Sequence, residues 1–226
     1  MTPSRIPLIA IDGPAASGKG TLAQAVAASL EFHYLESGAL YRLVALKAMA
    51  ASVRLDDEPR LAALAMRLDV AFGEGVIALE GNDVTDAIRA ETMGALASKV
   101  AVFPQVRTAL LGRQRAFLEW PGLVAEGRDM GTVVFPEAPV KIYVTASAEA
   151  RAARRYKQLI DKGNSVTLDG LLRDIQERDE RDSARSAAPL RIAADAVILD
   201  TTNLSIAESV AFVLQRYRAA RVGSSA

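Results

Sequence analysis

The sequence predicts an α/β protein in which a mainly parallel sheet of about five strands is covered by helices, in three layers. Short β-branched runs recur along the chain, each ahead of a stretch with helical apolar spacing. These runs are apolar on both faces, as strands buried in a parallel sheet are. The alternation is interrupted from about residue 67 to 90, where period-2 stretches around a Gly-Glu-Gly turn predict an inserted antiparallel hairpin.

The first strand is "IPLIAI", which ends in a glycine turn and leads into "LAQAVAASLEF", a helix by its apolar spacing. Further strands are predicted at "FHYLE", "GLVAEG", "VKIYVTA" and "AVILDT", each followed by a helical pattern. The interruption reads "RLDVAFGEGVIALEGNDVTDAIR". A helix is predicted from near Pro104; it contains Gly112, which costs roughly 1 kcal/mol relative to alanine and has no assignable role. Ser147 is placed to cap the helix after "VKIYVTA", and Ser205-Ile-Ala-Glu208 is a capping box after the last strand. The final "RVGSSA" is expected to fray.

The 226 residues are enough to bury a substantial core. Lys+Arg and Asp+Glu both number 27, so no overall charge bias points to nucleic acid or to an acidic membrane surface. The absence of cysteine removes disulfides, thiolate nucleophiles and thiolate-bound zinc, and a single histidine cannot build a multi-histidine metal site. The N-terminal apolar run is short and ends in Asp12 and Gly13, and no stretch of about 18 apolar residues follows, so a cytoplasmic protein is expected.

Between the first strand and helix stands "GPAASGKGT", residues Gly13, Pro14, Ala15, Ala16, Ser17, Gly18, Lys19, Gly20 and Thr21. A glycine-rich loop in this context wraps backbone N–H groups around phosphates, and the helix N-terminus adds positive potential. Lys19 is placed to reach the outer phosphates of a nucleoside triphosphate. The general pattern has Ser or Thr after the lysine as a magnesium ligand. Here Gly20 fills that position and the hydroxyl comes one residue late, so Mg2+ is expected to be held through phosphates and water, with no direct protein ligand assigned. Asp12, just before the loop, can support magnesium or brace the turn.

Gly-Lys-Gly-Thr is the ending found in nucleoside monophosphate kinases, which need a second, arginine-lined phosphate site. Three clusters fit that need. "ESGALYR" puts Ser37 at a strand end with Tyr41 and Arg42 one turn on; its plainer meaning is an N-cap with an exposed arginine. "EGRDMGT" places Arg128 and Asp129 on a glycine-flanked turn past a strand's carboxyl end, where ligands bind in open α/β sheets. "IQERDERDSAR" spaces Arg178, Asp182 and Arg185 at i, i+4 and i+7, on one helix face, although alternating charges there are also ordinary solvated pairs. "ARAARRYKQLIDKGNSV", with Arg151, Arg154 and Arg155, fits either a basic flap over a triphosphate or a basic helix face.

Together "IDGPAASGKGT", "ESGALYR", "EGRDMGTVVFPEAPVKIY", "ERDERDSAR" and "LDTTNLS" resemble the bacterial cytidylate kinases, in family order from about residue 5 to 210. The resemblance implies a single P-loop NTPase-type kinase domain over residues 1–226. It implies a nucleoside monophosphate-binding region at about 37–115, including an insert at about 67–100, and a short lid at about 151–166. It implies ATP-dependent phosphorylation of CMP and dCMP by a monomeric cytoplasmic enzyme, with Arg154 and Arg155 over the ATP phosphates. By position, cytosine contacts fall on Ser37, Arg107 and Asp129, sugar contacts on Ser98, Arg178 and Asp182, and acceptor-phosphate contacts on Arg42, Arg128 and Arg185. Lys19, Arg128 and Arg185 then carry the catalytic charge. A carboxylate such as Asp129 can accept from the N4 amino group of cytosine, a group uracil lacks. Two departures stand out: Ala16, where relatives often have glycine, and the compact "FGEG" turn. A kinase for another monophosphate or small metabolite, and a nucleotide-binding module without catalysis, are the competing readings.

Overall fold

The structure, a computed structural model, describes residues 6–73, 75–161 and 163–223. Leu8–Asp12 forms β1, buried end to end, and the chain turns through residues 13–18 into α1 (Lys19–Leu30) and then β2 (His33–Glu36). Six helices and strands of a second group follow in the order α2 (Ser37–Ala50), α3 (Glu58–Met66), β3 (Val70–Gly73), β4 (Val76–Leu79), β5 (Asn82–Asp83) and α4 (Thr85–Arg89). Two more helices, α5 (Glu91–Val100) and α6 (Pro104–Arg115), complete that group. The chain then forms β6 (Leu123–Gly127), a π-helical turn at Met130–Val134 and β7 (Val140–Thr145). It ends with α7 (Ala148–Ile160), α8 (Leu168–Ala184), β8 (Val197–Asp200) and α9 (Ile206–Gly223).

These elements divide into two compact units, one built from residues up to 35 together with those from 116 onward, the other from 36–115. The first holds a five-stranded sheet in the order β2-β6-β1-β7-β8. β6 and β7 run parallel to β1 on either side, with Asp12 level with Gly127 and Tyr143, and β8 runs parallel to β7. Ile9, Ile11, Val124, Ile142 and Val144 from the central strands pack with Leu22 and Val26 of α1 and Val213 and Tyr217 of α9. Aligned carboxyl ends of β1, β6 and β7 bring three loops to one end of this sheet, which is where the candidate site lies.

Full burial on both faces holds for β1 and β6 and nearly for β7, but not for β2 or β8. Those two are the sheet's edges, and an edge has a neighbour on one side only. The expectation that every strand leads into a helical crossover also fails once: β6 is followed only by the five-residue π-turn. β1 already lies between β6 and β7, so that link crosses a single strand.

In the second unit β3 and β4 form the antiparallel hairpin, and β5 adds a short third strand. Glu74, in its turn, lies outside the described residues. Leu40, Leu43 and Val44 of α2 share this unit's buried interior with Leu61 of α3, Ile88 of α4, Val100 of α5 and Leu110 of α6. Both predicted caps form: Ser147 Oγ accepts from the Ala150 N–H at 3.1 Å, and Ser205 and Glu208 exchange their bonds as a capping box. α9 continues through Gly223, so the first three residues of "RVGSSA" are helical and the rest lie outside the described residues. Among the described residues no helix is long and apolar enough to cross a membrane.

Candidate active site

The loop between β1 and α1 has the backbone such a site requires. A Cβ at Gly13 would overlap the Val144 carbonyl, so only glycine lets the loop leave β1 this close to β7. Ala16 and Gly18 are both left-handed, with φ of 56° and 85°. This costs glycine nothing, whereas an alanine pays roughly 1–2 kcal/mol. Gly18 is the N-cap of α1, and no side chain caps the helix. Its first N–H groups therefore remain suited to an anionic ligand.

Lys19 is buried, its Nζ donating to the Pro14 carbonyl at 3.1 Å and lying 3.8 Å from Glu126 Oε2. Burial, reinforced by Arg128 and opposed by Glu126, lowers its pKa to about 7. Arg178 and Asp182 also act on it, so the loop lysine and the arginine clusters of the first unit share one electrostatic neighbourhood. Asp12 braces the π-turn after β6: its two carboxylate oxygens accept from the N–H groups of Met130 and Gly131, both at 2.8 Å. Burial raises its pKa to about 6, against the opposing effect of these two bonds.

Glu126 is the functional candidate that motif reading missed. It is buried at the end of β6, and a Cβ on Gly20 would lie 3.8 Å from its Oε1. The acid before the last residue of "LVAEG" was visible in the sequence. Its meaning depended on β6 lying beside β1, which periodicity does not reveal.

Beyond β6, Arg128 Nε donates to Asp182 Oδ2 at 2.7 Å, and Arg185 lies 3.9 Å from Asp129 and 4.0 Å from Asp182. Burial opposes ionisation of Asp182, but Arg128, Arg178 and Arg185 together hold its carboxyl below the usual range. Arg185 does not lie on the helix face expected for it: α8 ends at Ala184, and Arg185 is extended at φ −62°, ψ 142°. The turn still delivers it to Asp129 and Asp182, because it donates from Nε to Ala188 O at 2.6 Å and so folds back.

On α7, Arg154 donates to the carbonyls of Thr201 and Thr202 and to Thr201 Oγ1, while Arg155 bonds Gln158 at 3.2 Å. A Cβ on Gly18 would lie 3.9 Å from Arg154 Nη1, which puts this arginine beside the loop. The α7 segment is a helix from its start, so Arg151, Arg154 and Arg155 all lie on that helix.

The remaining candidates belong to the 36–115 unit. Ser37 opens α2 and is buried, and Arg42, on the same helix, lies 3.4 Å from Glu36 and donates to Ile88 O at 3.5 Å. Arg107, on α6, stacks over the Tyr41 ring at 5.4 Å and donates to Ala101 O at 3.1 Å. Ser98 of α5 is buried, and its hydroxyl has no hydrogen-bond partner among the described residues. An orphaned buried hydroxyl carries a desolvation cost that a ligand hydroxyl would offset.

The first unit thus concentrates a left-handed glycine-rich loop, an uncapped helix N-terminus and cationic charge at the carboxyl end of a parallel sheet ordered β2-β6-β1-β7-β8. In this fold that combination defines a phosphate-loop kinase. Residues 9–219 match the family model described as cytidylate kinase. A cytidylate kinase of Paraburkholderia phymatum is 58% identical over 94% of this chain and 93% of its own. One of Chromobacterium violaceum is 58% identical over 93% of this chain and 95% of its own. An uncharacterized protein from Eubacterium ventriosum superposes with a TM-score of 0.51 at 11% identity, covering 95% of this chain and 99% of its own, a likeness of fold alone. The chain belongs to the cytidylate kinase family.

Proposed function

We propose that residues 13–21 hold the triphosphate of ATP, and that Arg128, Arg178, Asp182 and Arg185 receive the phosphate and sugar of CMP or dCMP. The reaction of the family is phosphorylation of these acceptors, and this chain is such a phosphotransferase. The observation that supports the residue assignment is geometric: Lys19 Nζ lies 3.8 Å from Glu126 near the end of β6, and two residues on, Arg128 donates to Asp182 at 2.7 Å, with Arg185 4.0 Å from the same carboxylate. Donor-loop charge and acceptor-site charge thereby bear on the same small volume.

Lys19 exchanges the Pro14 carbonyl for the outer phosphates, and the loop N–H groups hold the chain of phosphates in line. Arg128 and Arg185 neutralise the transferring group, being always ionised and able to grip two phosphate oxygens at once. The acceptor's own phosphate oxygen attacks the γ-phosphorus. It is largely ionised near neutral pH, so no general base is needed. Asp129 is assigned to the N4 amino group of cytosine. By family resemblance, Ser37 and Arg107 read the base, Ser98 the sugar and Arg42 the phosphate; Tyr41, whose ring Arg107 stacks over, is a further substrate-binding residue. Arg154 and Arg155 close over the donor.

The residues present suit a magnesium ion held through water. Glu126 supplies a buried carboxylate beside Gly20, and Asp12 keeps both oxygens on backbone N–H groups. A magnesium ion held there would supply positive charge against the phosphates. One chain carries both the donor and the acceptor groups, so the reading requires no second copy.

The test is a panel of acceptors with ATP and magnesium: CMP, dCMP, UMP, AMP, GMP and small phosphorylatable metabolites. CDP and dCDP should form fastest. Asp129→Ala should depress CMP use far more than UMP use; equal loss on both would refute the base assignment, and transfer to another acceptor alone would refute the acceptor class.

A further inference from the structure

We infer that Arg151 is a positioning residue that fixes the shape of the phosphate loop without touching the nucleotide, an inference that rests on residues 13–21 being the donor site. In a planar trans peptide the C=O of one residue and the N–H of the next point in opposite directions. Fixing a carbonyl therefore fixes the following N–H. Three loop carbonyls are fixed by side chains: Pro14 O accepts from Lys19 Nζ at 3.1 Å, Ala15 O from Arg151 Nη1 at 3.0 Å, and Ser17 O from Thr201 Oγ1 at 3.1 Å. The N–H groups they aim belong to Ala15, Ala16 and Gly18.

The three fixings differ in permanence. Lys19 must leave Pro14 to reach a phosphate. Arg151 is fully committed: its Nε donates to Ala146 O at 3.1 Å, its Nη2 lies 2.6 Å from Asp179, and only 6% of the residue is exposed. It cannot turn toward a ligand without giving up several buried bonds at once. The guanidinium's planar fork suits this task, since its three nitrogens reach the β7–α7 junction, the loop and α8 together, which an ammonium cannot do with the same geometry. Asp179 follows Arg178 directly, so one side chain ties the donor loop to the helix carrying acceptor residues.

The peptide that Arg151 holds is the one leading into Ala16, whose φ of 56° an alanine resists. Rotation of that peptide would release Ala16 to an extended conformation and turn its N–H away. Arg151 opposes this rotation. The strain at position 16 and the buried arginine are two halves of one device.

Calorimetric titration with MgADP and with CMP, alongside thermal unfolding, tests this on the wild type, K19M, R151K, R151M and R151M combined with A16G. R151M should weaken MgADP by about tenfold or more, the loss of roughly one aligned phosphate contact, and weaken CMP distinctly less. R151K should fall between. Adding A16G should recover part of the MgADP affinity, because glycine holds the left-handed conformation without help; a merely structural loss would not respond. Should R151M fail to fold, R151K alone and R151K combined with A16G carry the same comparison. Unchanged MgADP affinity in the arginine variants, or equal loss for MgADP and CMP with no recovery by A16G, would overturn the inference. A wild type that does not bind MgADP, or K19M that binds it normally, would instead overturn the donor-site reading.

Discussion

Burial and the neighbouring Arg128 bring the Lys19 ammonium down to about 7, and burial lifts the Asp12 carboxyl to about 6. The unfolded chain keeps the Lys19 proton up to its ordinary 10.5, so from about 7 upward the stability of the free protein rises with pH on this account. For Asp12 the folded state keeps its proton longer, so stability falls as pH rises from 3.8 to about 6. The free site is least comfortable between those windows, near neutrality, where a triphosphate would restore the lysine's charge. MgADP binding at a pH slightly above 7 should therefore draw in protons, measured by calorimetry in buffers of different ionisation enthalpy. Lys19→Met should abolish both that uptake and most of the affinity. At Ala16 the sequence raised a question that the backbone answers: the alanine takes the left-handed conformation at a cost. Ala16→Gly trades this strain for a freer unfolded chain and should change stability by less than about 1 kcal/mol in denaturant unfolding. Ala16→Val, β-branched at positive φ, should be clearly worse.

Among the elements, α8 and its following turn show what sequence pattern can and cannot specify. Arg178 and Asp182 share a face because the helix period puts them there, and the caps at Ser147 and Ser205 were legible because capping is local chemistry. Arg185 was misplaced because periodicity does not register where a helix stops; "SAR" continues the charge pattern after the hydrogen bonding has ended. The π-turn after β6 was invisible for a different reason. Its backbone is held by bonds such as Phe135 N–H to Met130 O at 2.7 Å and by the carboxylate of Asp12, more than a hundred residues away. Asp182 is the keystone of its cluster. Asp182→Asn keeps an acceptor for Arg128 but removes the charge that offsets three arginines, and should cost about 3 kcal/mol in denaturant unfolding, with a raised KM for CMP. Because the folded-state pKa is depressed, the wild-type advantage should be present above about pH 4 and fade as pH falls further.

For the molecule as a whole, the balanced charge of 27 against 27 says nothing of its substrates, since all the relevant charge is local. The parallel core was legible because buried strands announce themselves by composition; strand order was not, because it depends on how separate runs find each other. That order determines which acid faces Gly20 and which loops meet at the sheet's end. It also leaves β8 with a partner on one side only, and Ile198 in its middle is 55% exposed. An open strand edge is a template for another chain, so this one carries a latent route to self-association during folding. Its shortness, four residues, and the carboxylate of Asp200 at its end counter that tendency. Light scattering on dilution from denaturant should rise with protein concentration, fall for Ile198→Lys and increase for Asp200→Val. The same core would then be more or less recoverable from a denatured state according to two residues on the sheet's edge strand.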